Sequence, residues 1–102
     1  MFQKTAPLTQ GNLKNNHVYL GKALGLFPPE VIGGSNITES GTKVLFKYKK
    51  GTTEICFTSD IAGDKKIIRA RSWVKDFIEC TGKKIGDQVI ITKVSPTEYH
   101  LS

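Results

Sequence analysis

A mostly β domain with two short helices is the fold class that the sequence predicts, and three observations carry the expectation. Residues alternate with period two in the middle of the chain, where Val44, Phe46 and Tyr48 fall on one face and Lys43, Leu45 and Lys47 on the other. β-Branched residues crowd the later run Gln88-Val89-Ile90-Ile91-Thr92-Lys93-Val94. Turn residues recur at the short spacing expected of a small barrel or sandwich. Strands do not alternate regularly with helices, which argues against a parallel α/β sheet. At 102 residues the chain makes one domain with one modest core. A hydrophobic content of 38% against 24% charged residues is too apolar for a disordered chain.

The elements follow in order. The segment before His17 is polar, and Thr9-Gln10-Gly11-Asn12 reads as a loop. His17-Val18-Tyr19-Leu20 reads as a short strand. Pro28, Pro29 and Glu30 suit the first turn of a one- or two-turn helix that stops at Gly33. Residues Gly34 to Gly41 form a connection. The strand Lys43–Tyr48 turns at Lys49-Lys50-Gly51 into a return strand, Thr53–Thr58. Ala62-Gly63-Asp64 is a further turn, and Lys66–Arg71 a further strand. Ser72 is a suitable N-cap for a helix in which Trp73, Phe77 and Cys80 form one apolar stripe, ended by Gly82. Gly86-Asp87 leads into the strand Gln88–Val94. Ser95-Pro96-Thr97-Glu98 turns it into a last strand, Tyr99–Leu101, for about six strands in all.

Fifteen Lys and Arg against nine Asp and Glu give a net charge of +6. That balance suits a polyanion or an acidic membrane face. No apolar run reaches membrane-spanning length, and no partner membrane is expected. The two cysteines, Cys56 and Cys80, match no metal-ligand spacing and read as small buried hydrophobes. Free thiols and the absence of an apolar leader lead to the expectation of a cytoplasmic protein.

Lys65 to Arg71 is the most suggestive segment. As a strand it places Lys65, Ile67, Arg69 and Arg71 on one face and Lys66, Ile68 and Ala70 on the other. Two arginine forks on a basic ribbon suit a phosphate or a guanine edge; a solvated outer face is the plainer reading. Asn12-Leu13-Lys14-Asn15-Asn16-His17 is a second polar cluster, whose amides suit phosphate or an adenine edge and which also fits an ordinary turn. Catalytic signatures are missing. His17 and His100 lack a nucleophile or carboxylate at a diagnostic spacing. Asp60 and Asp64 beside Lys65 and Lys66 only loosely approach a nuclease motif, with the order and spacing poorly matched. A non-enzymatic protein with no cofactor and no small-molecule substrate is expected.

The stretch Arg71-Ser72-Trp73-Val74-Lys75-Asp76-Phe77-Ile78-Glu79-Cys80, followed by Lys84-Ile85-Gly86-Asp87-Gln88-Val89-Ile90-Ile91, resembles the helix, Gly-Asp turn and strand of B3 DNA-binding domains in plant transcription factors. Those domains share a seven-stranded open pseudobarrel with the recognition domains of certain type II restriction endonucleases. Asn15-Asn16-His17-Val18-Tyr19-Leu20, Leu26 to Gly34, Ser59-Asp60-Ile61 and Arg69-Ala70-Arg71 resemble the bacterial pattern in the same order. The resemblance implies duplex DNA held in the major groove by two arms. One arm is Gln10 to Tyr19, with Lys14, Asn15, Asn16, His17 and Tyr19 as contacts. The other is Thr58 to Arg71, with Ser59, Asp60, Lys65, Lys66, Arg69 and Arg71. It also implies that Trp73 and Phe77 are core. The chain is short for the family and carries no nuclease domain, so a stand-alone binder or a recognition part with a separate nuclease partner is expected. A small β-barrel adaptor for a protein partner remains the alternative. A third reading, single-strand or RNA binding, requires exposed stacking aromatics such as Tyr19 or Tyr48.

Overall fold

A computed structural model describes residues 2–16 and 18–102. Its main sheet has five strands: β1 (Phe2–Pro7), β3 (Val44–Lys50), β4 (Thr53–Ser59), β7 (Gln88–Ser95) and β8 (Glu98–Leu101), in the order β1-β7-β8-β3-β4. A smaller sheet joins β2 (Ile32–Gly33), β5 (Ile61–Ala62) and β6 (Ile67–Ile68). The helices are α1 (Gln10–Asn15) and α2 (Trp73–Thr81). The domain is mostly β with two helices, as expected; among the described residues eight strands lie in two sheets that do not form a closed barrel, where seven strands in an open one were expected.

The main sheet follows from alternation. Val44, Phe46 and Tyr48 are buried on one face of β3, and β4 pairs Phe57 with Phe46 and Ile55 with Tyr48 on that same face. Val89 and Ile91 of β7 and Tyr99 and Leu101 of β8 extend the same apolar layer. Tyr99 is central. Its ring stacks on Phe27 at 4.4 Å, its hydroxyl donates to Pro96 O at 3.2 Å, and burial pushes its phenol up to about 12.

Helix α2 closes that layer. Trp73 stacks on Phe57 at 5.0 Å, and Phe77 meets Tyr48 edge-on at 5.5 Å and 89°. Gly82, with φ 71°, ends the helix, its N–H donating to Ile78 O at 3.0 Å. Ser72 departs from the expected cap: it is itself helical, and its side chain makes no capping bond. The chain enters the helix through a turn at Arg71 instead, with Val74 N–H donating to Arg71 O at 3.2 Å.

Asp76 fastens the outer side of this junction, accepting from Tyr48 Oη at 2.6 Å and Lys50 Nζ at 2.8 Å. The Lys50 hydrogen bond first, then that of Tyr48, holds the Asp76 carboxyl below its ordinary value. A depressed carboxyl contributes stability above its unfolded value and loses it as pH falls through the folded one. The urea midpoints of the native protein and Asp76→Asn are therefore expected to differ at neutral pH and to converge below about pH 4. A gap that does not change with pH would rule this contribution out.

Four local expectations are corrected. The loop expected at Thr9–Asn12 gives way to α1 from Gln10, and the polar residues before it form β1, for which no element was expected; only Ala6 of β1 is buried, so its sequence shows no apolar alternation, and pairing with β7 makes it a strand. The helix expected at Pro28 is a single 3-10 turn, Pro29–Val31, that runs into β2. The strand at His17–Leu20 is reduced to an isolated bridge at Tyr19, although Val18 and Leu20 are buried and Tyr19 is exposed as alternation requires; His17 lies outside the described residues. Cys56 is exposed, because β4 turns it outward with Glu54 and Thr58, and Cys80 is half-buried. No helix among the described residues is long and apolar enough to cross a membrane.

Candidate nucleic-acid interface

The basic segment does not form the expected six-residue strand. Residues 63–66 make a turn in which Lys66 N–H donates to Ala62 O at 2.8 Å and Lys66 itself has φ 57°. Only Ile67 and Ile68 follow as β6, and both are buried. Two consecutive buried residues break the period-two rule, because a strand covered on both faces has no polar side. The ribbon of Lys65, Arg69 and Arg71 on one face is therefore absent. Lys65 and Lys66 stand exposed at the turn, Arg71 is exposed beyond the strand, and Arg69 is half-buried.

Arg69 turns inward to Asp60. Its Nε donates to Asp60 Oδ1 at 2.7 Å, and one Nη donates to Asp60 Oδ2 at 3.1 Å and to Gly34 O at 2.7 Å. Asp60 Oδ2 also accepts from Gly41 N–H at 2.7 Å. Ser59 Oγ donates to Asp60 O at 2.8 Å and accepts from Ala70 N–H at 2.9 Å. One carboxylate thus ties the connection Gly34–Gly41 to the end of β6. The charge-assisted fork pairs the buried Asp60 carboxylate with the half-buried Arg69 guanidinium. Ser59 and Asp60 are 3% and 1% exposed, so they hold the arm from inside and face no ligand directly. Trp73 Nε1 donates to Ala70 O at 2.6 Å and fixes the arm to α2.

Gly33 makes this packing possible. A Cβ there would lie 2.4 Å from Gly41 N and 2.5 Å from Asp60 Oδ2. Gly33→Ala is expected to lower unfolding free energy by about 2 kcal/mol, the range for forcing an extra methyl into packed structure. Chemical denaturation checks it, and an unchanged midpoint would show that the loop yields freely.

The first arm reaches the second directly. Lys14 and Asn15 end α1 and are exposed; Asn15 Nδ2 donates to Gly11 O at 3.0 Å. Asn16 follows with φ 53°. Tyr19, 42% exposed, then bridges to Ile67, and Leu20 N–H donates to Lys66 O at 2.8 Å. The two segments singled out in the sequence thus meet at one place in the fold.

The cations divide into two groups. Lys47 and Lys49 pair with Glu54, Lys50 with Asp76 and Arg69 with Asp60. Among the described residues the other eleven cations make no ion pair: Lys14, Lys65, Lys66 and Arg71 on these two segments, and Lys4, Lys22, Lys43, Lys75, Lys83, Lys84 and Lys93 elsewhere. What sets the first four apart is their place on the two segments that meet at Tyr19 and Ile67, where exposed unpaired charge can attract a polyanion. Sequence reasoning passed over Lys75. It is exposed on α2 and lines a groove with Asn16, Val74, Ile78 and the carboxylate of Glu79. Its position off the Trp73–Phe77 stripe was the available signal. Asp64 is exposed whereas Asp60 is buried on Arg69, and among the described residues no three His, Cys, Asp or Glu side chains gather as a metal site. No family model, curated protein or solved structure matches the chain.

Proposed function

We propose that the protein binds double-stranded DNA sequence-specifically, without catalysing a reaction, through the two arms that meet at Tyr19 and Ile67. The supporting observation is that junction: one backbone bridge joins two polar segments whose exposed cations lack carboxylate partners. Lys14, Lys65, Lys66 and Arg71 suit phosphates and base edges, Asn15 and Asn16 offer amides, and Tyr19 offers a ring. Ser59, Asp60 and Arg69 position the arm. The B3-like seven-stranded pseudobarrel and reading of the major groove belong to the same proposal, with the two sheets as its walls. So do a cytoplasmic location and a separate nuclease partner.

The test is selection of bound sequences from a random duplex pool, followed by a salt titration on the enriched site. One short motif is expected, with affinity falling steeply as salt rises. No enrichment and no retention of any duplex at low salt would end the proposal. Capture of a protein partner under those conditions would favour an adaptor, and stronger competition by single strands would favour the third reading.

A further inference from the structure

The two edges of the main sheet are treated differently. Strand β1 carries Lys4 and Pro7, two residues that discourage edge pairing, and the 3-10 helix Gly21–Leu26 packs beside it. Strand β4 pairs with β3 alone and ends the sheet. Its segment Glu54–Thr58 contains no lysine, no proline and no bulge against β3. Its only charge, Glu54, lies 3.5 Å from Lys47 Nζ and 3.8 Å from Lys49 Nζ. A nearly neutral, β-prone edge with no bulge is a template for another strand.

We infer that β4 pairs antiparallel with β4 of a second copy of this chain, in the register centred on Cys56. Within Glu54–Thr58 that register pairs every residue and opposes no like charges, whereas centring one residue later would set Ile55 against buried Ser59 and Glu54 against the Asp60 carboxylate. Glu54 faces the Thr58 hydroxyl of the second copy, and half-buried Ile55 faces half-buried Phe57. Centring one residue earlier would set Ile55 against itself and Cys56 against Glu54; two earlier would oppose the two Glu54 carboxylates, which repel. A two-fold axis through Cys56 therefore gives an isologous contact that closes on itself and leaves only the two guarded β1 strands at the ends of the joined sheet. At the other end of the strand Ser59 is buried, its hydroxyl accepting from Ala70 N–H at 2.9 Å, which confines the pairing to these five residues. The inference does not depend on what the cationic arms bind.

Sedimentation from about 1 µM to about 1 mM, the range for a small edge contact, should show a monomer–dimer equilibrium. Cys56→Lys places two ammonium groups on the axis. It is expected to abolish the dimer while the circular dichroism spectrum is retained. If that variant fails to fold, Cys80→Ser protein treated with a mild diazene oxidant decides: two Cys56 thiols are oxidised to a disulfide as the diazene takes up their hydrogens and becomes a hydrazine. Dimer linked through Cys56 is expected. A Thr58→Cys, Cys56→Ser, Cys80→Ser protein should link poorly, since its thiols lie about 14 Å apart along the paired strands. A monomer throughout the range, a dimer that persists in Cys56→Lys, or equal linkage at 56 and 58 would each overturn the inference.

Discussion

Replacing Asp60 by alanine is expected to lower the unfolding free energy by about 3 kcal/mol, the low end for breaking a buried charged pair. The low end applies because the Arg69 side chain keeps 17% exposure and recovers some hydration, whereas the Asp60 side chain keeps 2%. The loss has three parts: an uncompensated guanidinium, an unsatisfied Gly41 N–H and a cavity where the carboxylate stood. For a domain of this size that corresponds to a fall in Tm of about 15 °C. Asp60→Asn should recover little. If its oxygen accepts from Gly41 N–H, its NH2 points at the Arg69 donors. Arg69→Ala and the double variant complete a cycle in which the double loss is well below the sum of the single ones. Additive losses in thermal and denaturant unfolding would show that the two residues act separately.

Removing the unpaired charge should act on binding and leave folding alone. In Lys65→Gln, Lys66→Gln, Arg71→Gln, three exposed side chains without ion pairs lose their charge, so Tm should hardly move. Duplex affinity should fall by about a hundredfold or more at moderate salt, taking about 1 kcal/mol for each contact. The slope of log affinity against log salt should shrink by about three, since each lysine or arginine on a phosphate releases about one counterion. The same substitutions at Lys47, Lys49 and Lys50, which are already paired, should change the slope far less. If the two triple variants weakened binding equally, net charge alone would explain it and the arms would have no special part.

Elements whose two faces differ could be read from the sequence. β3, β4, β7, β8 and α2 each bury one side, so Val44, Phe46, Tyr48, Val89, Ile91 and Phe77 mark them by period alone. β1 has no such mark, because an edge strand with one buried residue takes its order from its neighbour β7. The small sheet was hidden for the opposite reason: Ile61, Ala62, Ile67 and Ile68 are all buried, and a two-residue strand shows no period. In the candidate site, the segments Gln10 to Tyr19 and Thr58 to Arg71 could be singled out in advance, but not their meeting at Tyr19 and Ile67 nor the different placements of their charged residues. Arg69 and Arg71 look alike in a basic run. They differ because Asp60 and Gly34 O close around Arg69, contacts that depend on chain closure and not on local sequence.

Lys66 has a consequence for how this molecule can be altered. With φ 57° it occupies a conformation that costs an ordinary L-residue about 1 kcal/mol and glycine almost nothing, while its carbonyl is fixed by Leu20 N–H. Lys66→Gly should therefore make the fold sturdier and the surface less basic in one step. Screening variants for heat resistance alone would select that exchange, and a screen for ligand capture would reject it. Position 66 is thus a point where robustness and charge pull in opposite directions, with a single backbone dihedral setting the terms of the trade.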